Sequence, residues 1–199
     1  LKTTIDSYFQ DLADALQNVQ CTGQDGVSLS RTEAYEQTLQ IALDATGRGD
    51  KLMFIGNGGS AGIASHMAID FSKNGGMPAL CFNDGAALTC LGNDFGYEEV
   101  FAQQLRFHAR RGDVLFAISS SGSSPNILRA VEVAQHIGCQ VITMSGFLKD
   151  NPLRAMGEVN FHVGLSEYGI VEVAHTALIH AVVDLKRICS LQPVSEAAD

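Results

Sequence analysis

Residues 3–20 place apolar side chains at Ile5, Tyr8, Phe9, Leu12, Leu16 and Val19, a spacing close to that of one helix face. A polar break at residues 21–26 follows. Residues 31–46 then resume the helical period through Tyr35, Leu39, Ala42 and Leu43, so a helical hairpin is expected ahead of the first strand. From Lys51 the pattern changes to short apolar runs alternating with helical stretches. Strands are expected at 51–55, 78–82, 114–118, 140–144 and 159–163, and helices at 60–73, 84–91, 97–108, 124–137, 151–155 and 170–188. The runs Lys51-Leu52-Met53-Phe54-Ile55 and Val114-Leu115-Phe116-Ala117-Ile118 are bulky throughout, as strands buried on both faces are. Alternation of this kind predicts an α/β fold with a doubly wound parallel sheet covered by helices. A single domain is expected over residues 1–190, with N-terminal helices in 1–48, an α/β core in 51–188 and a flexible polar tail at 191–199.

Composition narrows the chemistry. The chain has 199 residues, 46% of them hydrophobic and 18% charged, which is ordinary for a soluble globular protein. A net charge of −9 excludes a nucleic-acid binder that works by neutralising phosphates with a basic face. Any phosphorylated ligand must be held by local geometry instead. The five cysteines, Cys21, Cys81, Cys90, Cys139 and Cys189, are scattered and lack C-x-x-C spacing, so reduced thiols in a cytoplasmic protein are expected. Uninterrupted apolar runs stay well short of the roughly 18 residues that suggest a membrane span.

Two glycine- and serine-rich loops follow the two bulkiest runs: Gly56-Asn57-Gly58-Gly59-Ser60 and Ser119-Ser120-Ser121-Gly122-Ser123-Ser124. Each delivers the chain to a helix start, where free backbone N–H groups and the helix dipole favour an anion. In the second loop, Ser124 is a good N-cap before Pro125 at the first helical position. That loop lacks the Gly-Lys-Ser/Thr ending of a nucleotide-binding P-loop. The first loop meets the looser dinucleotide spacing Gly56-x-Gly58-x-x-Ala61, with Asp84 where a ribose partner would sit. A dinucleotide leaves the second loop unexplained, whereas a small phosphate ester accounts for both.

His66 and Asp70 share one face of the helix that starts at the first loop, a spacing suited to metal ligation or acid–base work. On the last helix, Glu172 and His180 are separated by about 12 Å of rise. His175 lies off their line and reads as a packing or supporting residue.

These residues, together with Leu91-Gly92-Asn93-Asp94-Phe95-Gly96 and Val141-Ile142-Thr143-Met144-Ser145-Gly146, resemble the sugar isomerase (SIS) domain family. More closely they are similar to phosphoheptose isomerases. The resemblance runs from the N-terminal helices to about residue 188. It implies a five-stranded parallel SIS sheet and a homotetramer packed partly through the N-terminal helices, with active sites between subunits. It implies isomerisation of D-sedoheptulose 7-phosphate to D-glycero-D-manno-heptose 7-phosphate. The phosphate would be held by Ser119, Ser121 and Ser124 with Ser60, the sugar by Asn57 and Asp94, and Gly58 and Ser120 count among the substrate-binding residues. The family's base and acid fall on Asp70 and His180. Its zinc ligands fall on His66, Asp70, Glu172 and His180. Two departures stand out: the usual glutamate is Asp70, one methylene shorter, and the usual glutamine is Glu172, which adds a charge and offers a second candidate base. The Asp-Arg that commonly precedes that glutamine is replaced by Gly169-Ile170. The alternatives are isomerisation of a different sugar phosphate in a specialised pathway, and a non-catalytic SIS protein that senses a sugar phosphate or associates with a replication initiator. The presence of Asp70, His180 and His66 favours catalysis.

Overall fold

The computed structural model describes residues 2–191. The tail at 192–199 lies outside the described residues, as does the side chain of Cys189. Five parallel strands form the centre: β3 (Leu52–Gly56), β4 (Ala79–Cys81), β5 (Val114–Ser119), β6 (Gln140–Gly146) and β7 (Val159–Val163). Between them run α3 (Gly59–Lys73), α4 (Gly85–Phe95), α5 (Val100–His108) and α6 (Pro125–Ile137), with α7 (Tyr168–Leu191) following the last strand. The expected helix at 97–108 is a single 3₁₀ turn, Tyr97–Glu99, continuing into α5, and the one at 151–155 is a 3₁₀ turn, Pro152–Ala155.

The N-terminal helices are present as α1 (Lys2–Gln17) and α2 (Arg31–Gly47), but a β-ribbon separates them. The residues expected as a bare polar break form β1 (Gln20–Gly23) and, with Ser28–Leu29, β2. Strand β1 pairs antiparallel with β7, matching Cys21 to Phe161, and β2 pairs with β1, so the sheet has seven strands in the order β2-β1-β7-β6-β5-β3-β4. The free edge of β7 supplies hydrogen-bond partners that the ribbon's short sequence does not advertise. Helix α1 then packs along α7, while α2 lies on β1, β7 and α7. The start of α2 is set by a capping box in which Ser30 and Glu33 satisfy one another's backbone N–H groups. Tyr35 ties α2 to α7 by donating to the Leu178 carbonyl at 3.0 Å.

All residues of β3, β5 and β7 are buried, as two-sided strands require. On one face Phe54 and Phe116 stack with ring centres 4.7 Å apart, and Phe71 of α3 packs on both at 5.1 and 5.4 Å. This trio of rings fixes α3 on the sheet, and Phe71→Ala there removes about 3–5 kcal/mol of stability. On the other face Met53, Ile55, Leu115, Ala117 and Val141 meet Phe101 and Leu105 of α5 and Ile127, Val131 and Ala134 of α6. Helices α3 and α6 therefore leave neighbouring strands β3 and β5 toward opposite faces. That is the point where the strand order reverses, and ligands of open α/β sheets bind in the crevice there.

The stretch Tyr168–Ile188 is long and apolar enough to pass a length-and-composition test for a membrane span. Its apolar side chains Val171, Ala174, Leu178, Ile179, Val182 and Val183 are instead buried in the core.

Candidate active site

Both anion loops sit at the carboxyl ends of β3 and β5. A side chain at Gly56 would put its Cβ 2.5 Å from the Ser60 carbonyl, so glycine is required where the strand turns into α3. Gly58 has φ +53°, in the left-handed half of the map, and as the N-cap residue it offers no side chain to cap the helix that begins at Gly59. Ser60 is buried in that first turn. Helix α6 starts as the sequence predicts, with Ser124 at the N-cap and Pro125 at the first position, but the Ser124 hydroxyl does not cap it. That hydroxyl accepts from Ser119 Oγ at 3.3 Å, and Ser119 Oγ lies 3.4 Å from Ser121 Oγ. Gly122, at φ +63°, donates its N–H to Ser119 Oγ at 3.2 Å. Ser120 Oγ is buried without a partner among the described residues. Three hydroxyls turned toward one another beside the uncapped start of α6 are suited to a polyoxygenated anion. A buried hydroxyl lacking a partner is costly unless a ligand or water supplies one.

Three turns into α3, Asp70 Oδ2 lies 3.5 Å from His66 Nε2 and 3.6 Å from His180 Nε2, and the two imidazole nitrogens are 3.2 Å apart. His180 arrives from α7, which packs alongside α3. Asn74 donates to Asp70 Oδ1 at 3.1 Å, which leaves Oδ2 as the oxygen facing the histidines. The His66 side chain is 56% exposed, that of His180 35%, and that of Asp70 15%, so the cluster opens to solvent on one side. These three donor atoms all lie within 4.8 Å of one another, a spacing that suits a metal ion.

Glu172 is not among them. Its carboxylate lies against Gly59 at the start of α3, where any side chain would collide with it. The start of α3 is about 10 Å of helix rise from His66. Negative charge at this uncapped helix start is favoured by the dipole. Asp94, at the end of α4, is exposed and contacts Asn93 Nδ2 at 2.8 Å and Cys90, not the loops. Asp84, the candidate ribose partner, is instead the N-cap of α4, accepting from the Ala87 N–H at 2.9 Å, so its side chain already has a structural use.

His175 is fully buried and donates through Nε2 to the Ser145 carbonyl at 2.9 Å, pinning α7 to the end of β6. Burial pushes it down to about 4. His162, whose Nδ1 is 3.1 Å from Ser145 Oγ, is held down to about 4 by burial and, after that, by Arg154. Both rings are neutral supports of the sheet rather than acid–base groups.

Sequence reasoning passed over Asn126 and Tyr97. Both touch Asn57: Asn57 and Asn126 exchange paired amide hydrogen bonds of 2.8 and 2.9 Å, and Tyr97 Oη donates to Asn57 Oδ1 at 3.0 Å. A polar amide in the first turn of a helix whose neighbours are apolar, as in Asn126-Ile127-Leu128, is the one signal that could have found the first of them.

The chain belongs to the SIS domain family, whose model matches residues 8–146. Within that class the similarity runs to phosphoheptose isomerases. The phosphoheptose isomerase of Citrifermentans bemidjiense is 34% identical over 76% of this chain and 82% of its own length. That of Syntrophotalea carbinolica is 29% identical over 91% of both. The structure of phosphoheptose isomerase GmhA from Neisseria gonorrhoeae superposes with a TM-score of 0.80 at 30% identity, covering 94% of this chain and 99% of that one. The matched family span ends at Gly146, so β7 and α7, with Glu172 and His180, lie beyond it; the whole-length relatives and the GmhA structure extend the likeness past it.

Proposed function

We propose that this chain is an aldose–ketose isomerase that converts D-sedoheptulose 7-phosphate to D-glycero-D-manno-heptose 7-phosphate. The observation that carries the reading is the meeting of Asp70 and His180 from separate helices, Asp70 on the helix that starts at the first of two anion loops at the sheet's reversal point. The similarity to phosphoheptose isomerases supports the substrate class.

The chemistry balances within the sugar. A base takes a proton from C1 of the ketose while an acid protonates the C2 oxygen, giving an enediol. Return of a proton to C2 and loss of the O1 proton yields the aldehyde. Asp70 is the base and His180 the acid, since a carboxylate and an imidazole serve these roles near neutral pH. Ser119, Ser120, Ser121 and Ser124, with Ser60 and the Gly58 turn, hold the phosphate. Binding energy gained there, far from C1 and C2, orients the reacting carbons.

The same cluster fits one divalent metal, zinc by its donor set. Ligand atoms bound tetrahedrally to zinc at about 2.05 Å are separated by about 3.3 Å. The three separations of 3.2, 3.5 and 3.6 Å are of that size. His66, Asp70 and His180 would hold it, leaving one position open, and Glu172, the fourth residue of the expected set, stands apart against Gly59. When bound, a metal would engage His180 Nε2 and supply at the carbonyl and enediolate oxygens the polarisation that the free imidazole supplies by protonation.

A homotetramer with shared sites completes the proposal, and the protein would act in the cytoplasm. Exposed apolar side chains flank the site on both helices: Ile69 is 57% exposed and Val173 47%, with Phe9 on α1 at 62%. A second copy would cover these and close the open side of the cluster. The thiols of Cys21, Cys81, Cys90 and Cys139 are free, as in a reducing compartment. Incubation with sedoheptulose 7-phosphate tests the reading: aldose should accumulate, and tight binding without turnover by metal-replete protein would make the chain a sensor instead.

A further inference from the structure

Asn126 is only 2% exposed, yet it occupies the first turn of α6, among side chains that bury apolar surface. A buried amide is retained only where its hydrogen bonds are made. Here both of its polar atoms go to one partner across the crevice. Asn126 Nδ2 donates to Asn57 Oδ1 at 2.9 Å, and Asn57 Nδ2 donates back to Asn126 Oδ1 at 2.8 Å. The bond joins residues 69 apart in sequence, one in each anion loop's strand–turn–helix unit. Tyr97, leading into α5, adds a third element by donating its phenol to the same Asn57 Oδ1 at 3.0 Å.

We infer that Asn126 and Tyr97 are positioning residues of the isomerase site, which hold the Asn57 carboxamide in one orientation and convert Asn57 into a donor-only contact for the sugar. Asn57 Oδ1 already accepts two hydrogen bonds, which fills its two lone pairs. Asn57 Nδ2 spends one N–H on Asn126, and its second N–H has no partner among the described residues. The carboxamide cannot turn over without breaking all three bonds. What it offers a ligand is therefore one N–H, matched to a carbonyl or hydroxyl oxygen and unable to accept from a hydroxyl. The phosphate hydroxyls of the second loop are held independently, through Ser119, so loss of the latch should separate sugar recognition from phosphate recognition.

This inference rests on the isomerase reading for its kinetic arm only. Two variants of the full chain test it, Asn126→Ala and the milder Tyr97→Phe at an exposed side chain. Side-chain amide NMR of the unliganded wild type should show an Asn57 NH₂ pair with one proton protected from exchange by about tenfold or more, a protection lost in Asn126→Ala. With sedoheptulose 7-phosphate, Asn126→Ala should lower kcat/KM by about tenfold or more and Tyr97→Phe by about threefold, while the Kd for inorganic phosphate stays within about twofold. In the Asn126→Ala background, Tyr97→Phe should add less than about twofold, because both act through one carboxamide. A phosphate Kd weakened as much as kcat/KM, an unchanged kcat/KM, or an unprotected Asn57 amide in the wild type would each overturn it. Should the wild type bind but not turn over sugar phosphate, the isomerase reading fails by itself, and the amide NMR and the ratio of sugar-phosphate to phosphate Kd still decide the latch. Should Asn126→Ala not fold, Tyr97→Phe decides alone, by its kcat/KM and the shift of the Asn57 side-chain resonances.

Discussion

Asp70 carries more of the proposed chemistry than any other residue, and its surroundings explain how one short carboxylate can do so. Asn74 holds one oxygen, and the other faces two imidazoles from different helices. Asp70→Asn keeps the shape and removes the base, so turnover should fall by at least about a thousandfold while phosphate affinity is retained. Isothermal titration with inorganic phosphate beside an aldose assay checks both halves. An active Asp70→Asn enzyme would rule Asp70 out as the base. His66→Ala should lower bound divalent metal, measured by elemental analysis of protein purified without chelator, from about one ion per chain to a small fraction. The His66/Asp70 pairing was legible in the sequence because residues four apart on a helix share a face. Its meeting with His180 was not, because it depends on how α3 and α7 lie side by side. The same dependence separates Glu172 from the other three: sequence spacing places it on the right helix, and packing sets it at the far end of α3.

At the scale of elements, the loops and the central strands were legible because long apolar runs ending in glycine and serine leave few alternatives. The ribbon β1–β2 was not. Gln20-Cys21-Thr22-Gly23 has no clear alternation, and its strand character comes from the β7 edge it pairs with. The first anion loop depends on glycine at one close approach. Gly56→Ala would drive Cβ into the backbone of Ser60, and thermal unfolding should show a loss of about 2 kcal/mol. The anchor between β6 and α7 gives a pH signature. His175 sits at an ordinary 6.5 when unfolded and is pushed down to about 4 when folded, so below pH 6.5 the unfolded chain binds the proton first. Stability should be independent of this group above pH 6.5 and decline as pH falls toward 4, by up to about 3 kcal/mol. His162 acts in the same window and direction. The carboxylates of Glu33 and Glu99 are held below their ordinary 4.5 by hydrogen bonds, from Ser30 and from Arg106 and Arg129, so their contribution is lost only at more acid pH. Denaturant titrations from pH 7 to 4 should show the decline, and His175→Gln should flatten it; an unchanged slope would show that the protonation of His175 is not linked to unfolding.

For the whole molecule, the doubly wound sheet, the opposed departure of α3 and α6, and the reversal between β3 and β5 form one crevice, in which the proposed isomerase would hold the phosphate and carbonyl ends of a sugar at separate stations. A single chain leaves the carbonyl station half open, which is why the proposed second copy matters to function. The proposed assembly should appear as a tetramer by analytical ultracentrifugation, and Ile69→Glu should dissociate it and depress turnover together. Most direct of all is sugar turnover in heavy water. Metal-replete protein given sedoheptulose 7-phosphate in D₂O should yield an aldose 7-phosphate carrying deuterium at C2, seen by proton NMR, with no such product from Asp70→Asn. Binding of the sugar phosphate without aldose or deuterium exchange in the wild type would contradict the account.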